Sequence, residues 1–152
     1  VRTNLTGAFE VCRAVTPRLA AGAAIVNVGA VVGFRGFPGD AAYGAAKAGL
    51  SGLTQVLAIE LAPQSIRVNL VVPGFVDTDM TAGLSERARQ QIVDTIPVGR
   101  TGTVDEIARV IVSVAGASYM TGSTVAVDGG LLASFGAASA HGRAAPSSRV
   151  SP

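Results

Sequence analysis

Tryptophan is absent, cysteine, histidine and lysine each occur once, and charged residues make up only 14% of the chain. A single cysteine, Cys12, leaves no intramolecular disulfide to form, and it is expected to pack inside a helix face as a small hydrophobe. With aromatics at 5% there is no row of rings on which bases could stack, and a net charge of +2 spread over scattered arginines makes no basic stripe. Nucleic acid is therefore not an expected partner. No run of 18 or more uncharged apolar residues occurs, so no membrane-spanning helix is expected, and the amino terminus shows no signal-peptide pattern. These exclusions predict a cytoplasmic globular chain with no membrane association and no metal site. Its 152 residues are one domain's worth, able to bury a modest core.

What the chain does have is apolar periodicity broken by glycine. Leu5, Phe9, Cys12 and Leu19 recur at roughly helical spacing and predict one amphipathic helix over residues 4–19, with Pro17 near its end and Asn4 placed to cap its start. Ile25–Val28 reads as a short strand covered on both faces. Gly29, Gly33, Gly36 and Gly39 follow, but without the Gly-x-Gly-x-x-Gly spacing that opens a phosphate-binding helix. They predict a mobile loop lining a pocket. Phe34 and Phe37 either meet the apolar part of a substrate there or simply pack, and Arg35 is expected to be a solvated charge.

Asp40 is an expected N-cap for a helix over residues 41–62. Gly44, Gly49 and Gly52 inside it each cost about 1 kcal/mol relative to alanine, so a close neighbour must offset them. Ile66–Val72 alternates, is β-branched and predicts a second strand, running into Pro73-Gly74. Residues 75–99 read as a lid in which Ser85 caps a short helix with Leu84, Ala88, Ile92 and Ile96 recurring every four residues. Thr103 and Glu106 form a capping box for a helix ending near Ala115, which makes the acidic residues there structural. Thr124–Val127 is the last strand. Residues 133–152, rich in Ala, Ser, Gly, Pro and Arg without periodicity, predict a disordered tail. The tail holds the only histidine, His141, which argues against a serine-histidine triad.

The chemistry-bearing pair is Tyr43 and Lys47. Four residues apart, they share one helix face, so an ammonium can sit beside a phenol. A free phenol, with a pKa of about 10, is a poor acid or base near neutrality, and a fixed positive charge is expected to lower that pKa into range. Lys47 is the only lysine in a chain that otherwise uses arginine. Tyr-x-x-x-Lys alone also fits an ordinary surface helix.

Taken with its surroundings, the motif resembles the short-chain dehydrogenase/reductases, most closely their 3-oxoacyl-(acyl-carrier-protein) reductase-like branch. The resemblance runs through Thr3-Asn4-Leu5-Thr6-Gly7, Tyr43-Gly44-Ala45-Ala46-Lys47, Pro73-Gly74-Phe75-Val76-Asp77-Thr78, Pro97-Val98-Gly99-Arg100 and Val127-Asp128-Gly129-Gly130, covering residues 1–132. It implies an α/β fold: the carboxyl-terminal half of a Rossmann-like, doubly wound parallel sheet, with three strands and flanking helices. It implies an NAD(P)-dependent oxidoreductase that reduces a small-molecule ketone, for instance a 3-oxoacyl thioester, to a secondary alcohol. Tyr43 is then the general acid, Lys47 its electrostatic partner and ribose contact, and Asn4 the holder of a relay water. Pro73, Gly74, Val76 and Thr78 border the nicotinamide of NADP or NAD. A homo-oligomer is implied, because the helices carrying Phe9 and Tyr43 pack against their two-fold mates.

Two departures qualify that expectation. Thirteen residues before Tyr43 the family has a serine, and this chain has Ala30. The family's dinucleotide-binding βα unit precedes the position matching Asn4, so cofactor binding by these residues alone is not expected, and the strand from Ile25 is expected to show an open apolar edge. Three readings follow: an impaired ketoreductase half, part of a normal reductase, or a noncatalytic remnant that serves as an oligomerisation module.

Overall fold

Val68, Leu70, Val71 and Val72 are wholly enclosed, and such a run of aliphatic side chains is satisfied only by a strand with layers packed on both faces. The computed structural model, which describes residues 1–79 and 81–134, places this strand, β2 (Arg67–Pro73), at the centre. Its neighbours are β1 (Ala24–Val28) and β3 (Thr124–Val127), in an all-parallel sheet of order β1-β2-β3. Ala24 lies opposite Arg67, and Leu70 opposite Thr124. Pro73 offers no N–H, and the next donation comes from Gly74 to the Val127 carbonyl at 3.0 Å. The sequence predicts an alternating strand over Ile66–Val72; the strand begins one residue later, and both of its faces are buried.

Alternation along β2 sorts the core into two layers. Leu70 and Val72 meet Leu50 of α2 (Ala41–Leu61), while Ile66 and Val68 meet Ala58 and Leu61 further along the same helix. Val71 faces the opposite way, onto Ile107 and Val114 of α4 (Val104–Gly116). Each such side chain contributes about 1.5–3 kcal/mol by leaving water. Asn69 is fully buried between strand and loop, with its amide satisfied at both ends: Nδ2 donates to the Met120 carbonyl at 2.8 Å and Oδ1 accepts from the Ser123 N–H at 3.0 Å. Among the described residues β1 has no partner on its outer side, and Val28 is 42% exposed.

The helix predicted over residues 4–19 is three pieces: a π-helical turn (Arg2–Thr6), α1 (Gly7–Val15) and a 3-10 turn (Thr16–Arg18). Pro17 cannot continue an α-helical ladder, which accounts for the change at Thr16. Asn4 lies within the opening turn and is not the cap of α1, which is Thr6. Cys12 is buried as expected, with Sγ 4.0 Å from Asn27 Oδ1, and Asn27 Nδ2 donates to Thr54 Oγ1 at 2.9 Å, so one amide joins α1, β1 and α2.

Asp40 precedes α2, but its carboxylate makes no capping bond. Its backbone carbonyl accepts from Gly44 instead, at 2.7 Å. The other two caps form as the sequence predicts. Ser85 Oγ accepts from Ala88 at the start of α3 (Glu86–Val93), and Thr103 and Glu106 make the full capping box of α4. At the other end of α4, Arg67 donates to the Ala115 and Ala117 carbonyls at 2.8 and 2.7 Å, satisfying acceptors that a helix end leaves open. Among the described residues no helix is long and apolar enough to cross a membrane.

Arg35 is not the solvated charge that its loop suggests. Its Nη1 donates to the Leu131 carbonyl at 2.8 Å and to Ser134 Oγ at 3.1 Å, tying the glycine-rich loop to the turn after β3. Ser134, which composition assigns to the tail, is thus held by the domain; His141 and the rest of the tail from residue 135 lie outside the described residues.

Candidate active site

Parallel strands bring their carboxyl ends to one edge, and in open α/β sheets that edge is where ligands bind. Here it is formed by Val28, Pro73 and Val127. Lys47, on the second turn of α2, reaches back to it: Nζ donates to the Val28 carbonyl at 3.0 Å. Nζ also lies 5.7 Å from the centroid of the Tyr43 ring. The pair predicted from spacing is therefore a pair in space, anchored to the end of β1.

Two close approaches fix its relation to Ala30. A Cβ on Gly33 would lie 2.7 Å from the Ala48 nitrogen, and one on Gly44 would lie 2.9 Å from the Val32 carbonyl oxygen. Only hydrogen at these positions lets the 3-10 turn Val31–Gly33 lie directly on the first turns of α2. Ala30 opens that turn in extended backbone, its carbonyl accepting from Gly33 at 3.0 Å. The first part of the loop is consequently clamped to the helix that carries Tyr43. Phe34 and Phe37, further along, are both exposed.

The electrostatics of the pair differ from expectation. The Tyr43 phenol is pushed up from its ordinary value, first by burial and then by the nearby Asp40 carboxylate, while burial lowers Lys47. Desolvation disfavours phenolate and ammonium alike, and at 5.7 Å from the ring centroid the ammonium does not overcome it.

Asn4 sits on the opening π-helical turn, whose Leu5 side chain fills the space beside Gly49 of α2, two residues past Lys47. Gly74 follows β2 with its Cα against Asp128, where a Cβ would lie 2.6 Å from the Asp128 Cα. Beyond it, Val76 pairs with Gly102, and the exposed Thr78 gives its N–H to Thr81 Oγ1 at 3.0 Å. A cleft of about 140 Å³ opens under this segment, lined by Phe75, Val98, Thr101, Ile107, Val127 and Gly129 among others; neither Tyr43 nor Lys47 borders it.

Sequence reasoning missed Arg35, Arg67 and the ion pair between Arg89 and Asp77. The two arginines bond backbone carbonyls, which every residue carries, so pattern offers no signal for them. The ion pair has a faint one, in two opposite charges within the segment read as a lid.

The family profile described as Enoyl-(Acyl carrier protein) reductase matches residues 1–132. Carbonyl reductase family member 4 of Danio rerio is 49% identical over 132 residues, which are 86% of this chain and 54% of that protein. The 3-oxoacyl-[acyl-carrier-protein] reductase FabG of Thermotoga maritima is 45% identical over 136 residues, 87% of this chain and 55% of that one. A short-chain dehydrogenase/reductase from Serratia marcescens superposes with a TM-score of 0.80 at 36% identity, covering 85% of this chain and 54% of that structure. The Pseudomonas aeruginosa RhlG/NADP active-site complex gives 0.79 at 34%, covering 85% and 55%. The chain thus spans about half the length of the curated relatives it matches.

Proposed function

The chain belongs to the short-chain dehydrogenase/reductase family, near its 3-oxoacyl-(acyl-carrier-protein) reductases, and on that premise we propose that it carries the carbonyl-reducing end of an NAD(P)-dependent reductase. The substrate is a ketone, with a 3-oxoacyl thioester as the best match to its relatives. One observation supports this reading above the rest: Tyr43 and Lys47 stand together at the carboxyl edge of a parallel sheet, with Lys47 anchored to Val28.

The donor set suits a dinucleotide's nicotinamide end. An ammonium has three N–H groups, and the bond to Val28 uses one of Lys47's, leaving two for a ribose hydroxyl and a water shared with Asn4. Pro73, Gly74, Val76 and Thr78 border the ring in this reading, on the segment that leaves the same edge. A nicotinamide held there would supply the hydride. Tyr43 gives its phenolic proton to the carbonyl oxygen as charge develops there, a role that contributes typically about 10²–10⁴-fold. Water leaving the site strengthens the field of Lys47 on that phenol, because the same charge acts in a lower dielectric.

Ala30 limits the rate. A methyl group cannot donate to the substrate oxygen, and Val31 and Val32 offer no replacement hydroxyl. Loss of one such donor costs about 10²–10³-fold.

A second reading is favoured by the outer faces of α1 and α2, where Phe9, Val11, Val56 and Ile59 are exposed, Ile59 by 77%. These faces suit assembly with further copies and need no turnover. Calorimetric titration with NADH and NADPH separates the readings, since Ala30 is distant in role from cofactor binding. Saturable binding, followed by a gain of about 10²–10³-fold in ketone reduction on Ala30→Ser, supports the reductase. No binding by a folded chain leaves the assembly module and the part of a normal reductase, and self-association in light scattering then supports the module.

A further inference from the structure

Residues 77–101 leave the sheet after β2 and return to almost the same place. The neck of this excursion is closed by backbone: Gly102 donates to the Phe75 carbonyl at 2.9 Å, and Asp77 donates to the Gly102 carbonyl at 3.0 Å. Inside the excursion lies α3, none of whose side chains is buried. A helix of eight residues whose inner face, Ala88, Arg89, Ile92 and Val93, is only half-buried is not held by its own propensity. Something else must fix it to the domain.

Its ends supply part of the answer. Ser85 caps one end, and beyond the other Ile96 is 4% exposed and packs beside Gly129. Between them Arg89 reaches the neck. Arg89 Nη2 pairs with Asp77 Oδ1 and lies 3.4 Å from Thr101 Oγ1, while Thr101 donates to Asp77 Oδ2 at 2.7 Å. The guanidinium, the carboxylate and the hydroxyl close a triangle across the two strands of the neck. Thr101 also lines the cleft beneath, and Asp77 stands between Val76 and Thr78.

We infer that Arg89, bound to Asp77 and Thr101, is the catch that holds α3 over the carboxyl edge of the sheet and thereby positions Val76 and Thr78. The relevance of those two residues to a nicotinamide rests on the reductase reading; the catch itself does not. Its bonds keep the Asp77 carboxyl below its ordinary value, with Thr101 contributing most and Arg89 next. An exposed ion pair adds little to global stability, so the catch acts on one segment while the core holds the rest.

Hydrogen exchange on the whole chain tests this. Asp77→Asn and Arg89→Gln should each speed exchange of the amides of residues 86–96 several-fold, with β2, α2 and the thermal midpoint unchanged. The double variant should be no faster than the faster single, because both remove one interaction. Arg89→Lys should retain most of the protection. Unchanged exchange over 86–96 in both single variants overturns the inference, as does acceleration spread evenly through β2 and α2. No cofactor enters the readout. A chain that shows the catch yet fails to bind NADPH leaves the inference standing and bears on the reductase reading alone.

Discussion

Lys47 Nζ and the carbonyl oxygen of Val28 are joined at 3.0 Å, so the ammonium that stands 5.7 Å from the Tyr43 ring is itself held by the last residue of β1. Position and charge are thereby separated. The strand fixes where Lys47 stands, while desolvation sets how readily it and Tyr43 ionise.

The first prediction concerns that ionisation. Burial and Asp40 raise the Tyr43 pKa above 10.0, so the phenol should stay protonated past the ordinary range. In a Tyr119→Phe variant, which leaves Tyr43 as the one tyrosine, the tyrosinate absorbance should rise with a midpoint above 10.0. A midpoint below it would mean that Lys47 outweighs burial in the bare chain. Replacing Asp40 by asparagine should bring the midpoint down.

Two glycines should respond in opposite directions. At Gly33 a methyl would meet the backbone of Lys47 and Ala48 at 2.7–2.8 Å, and backbone cannot step aside. Gly33→Ala should destabilise by about 1–3 kcal/mol, the ordinary range for overpacking. A Cβ on Gly52 would meet nothing within 4 Å, so Gly52→Ala should gain up to about 1 kcal/mol from helix propensity. Denaturant midpoints of the two variants decide; a loss at Gly52 would contradict the open space beside it.

Acid should loosen the start of α4. Arg100, donating through both nitrogens at 2.7 and 3.0 Å, and the Thr103 N–H hold Glu106 down from 4.5 to about 2. A depressed folded-state value means that the contribution is present above about 4.5 and fades as pH falls toward about 2. Thermal midpoints measured across that window should fall in the parent chain. Glu106→Gln should start lower at neutral pH and show less of this fall. Parallel curves for the two proteins would exclude Glu106 as the cause.

The elements that could be read from the sequence are those whose cause is local. β3 matches its predicted limits, the Thr103–Glu106 capping box needs only a spacing of three, and the Tyr43–Lys47 pair only a spacing of four. Asp40 shows the limit of such reasoning, because the residue type suits a cap but the carboxylate stays out of it. Arg35 and Arg67 bond carbonyls remote in the chain, and Asn69 bridges β2 to the loop before β3. These depend on how the chain returns to itself, which no window of neighbouring residues contains. The three-strand parallel order was legible only through the family resemblance.

The sheet order also governs how fast the molecule can assemble. Among the described residues every strand pairing joins distant parts of the chain, Ala24 with Arg67 and Leu70 with Thr124, and no hairpin offers a nearby start. Closing such loops costs entropy before any ladder bond repays it. Docking of α2 onto Leu70 and Val72, a contact between segments adjacent in sequence, closes a shorter loop and is expected to come early. β1 and β3 then add to a strand already shielded on one side, and until they do β2 leaves its other face and both edges open to pairing.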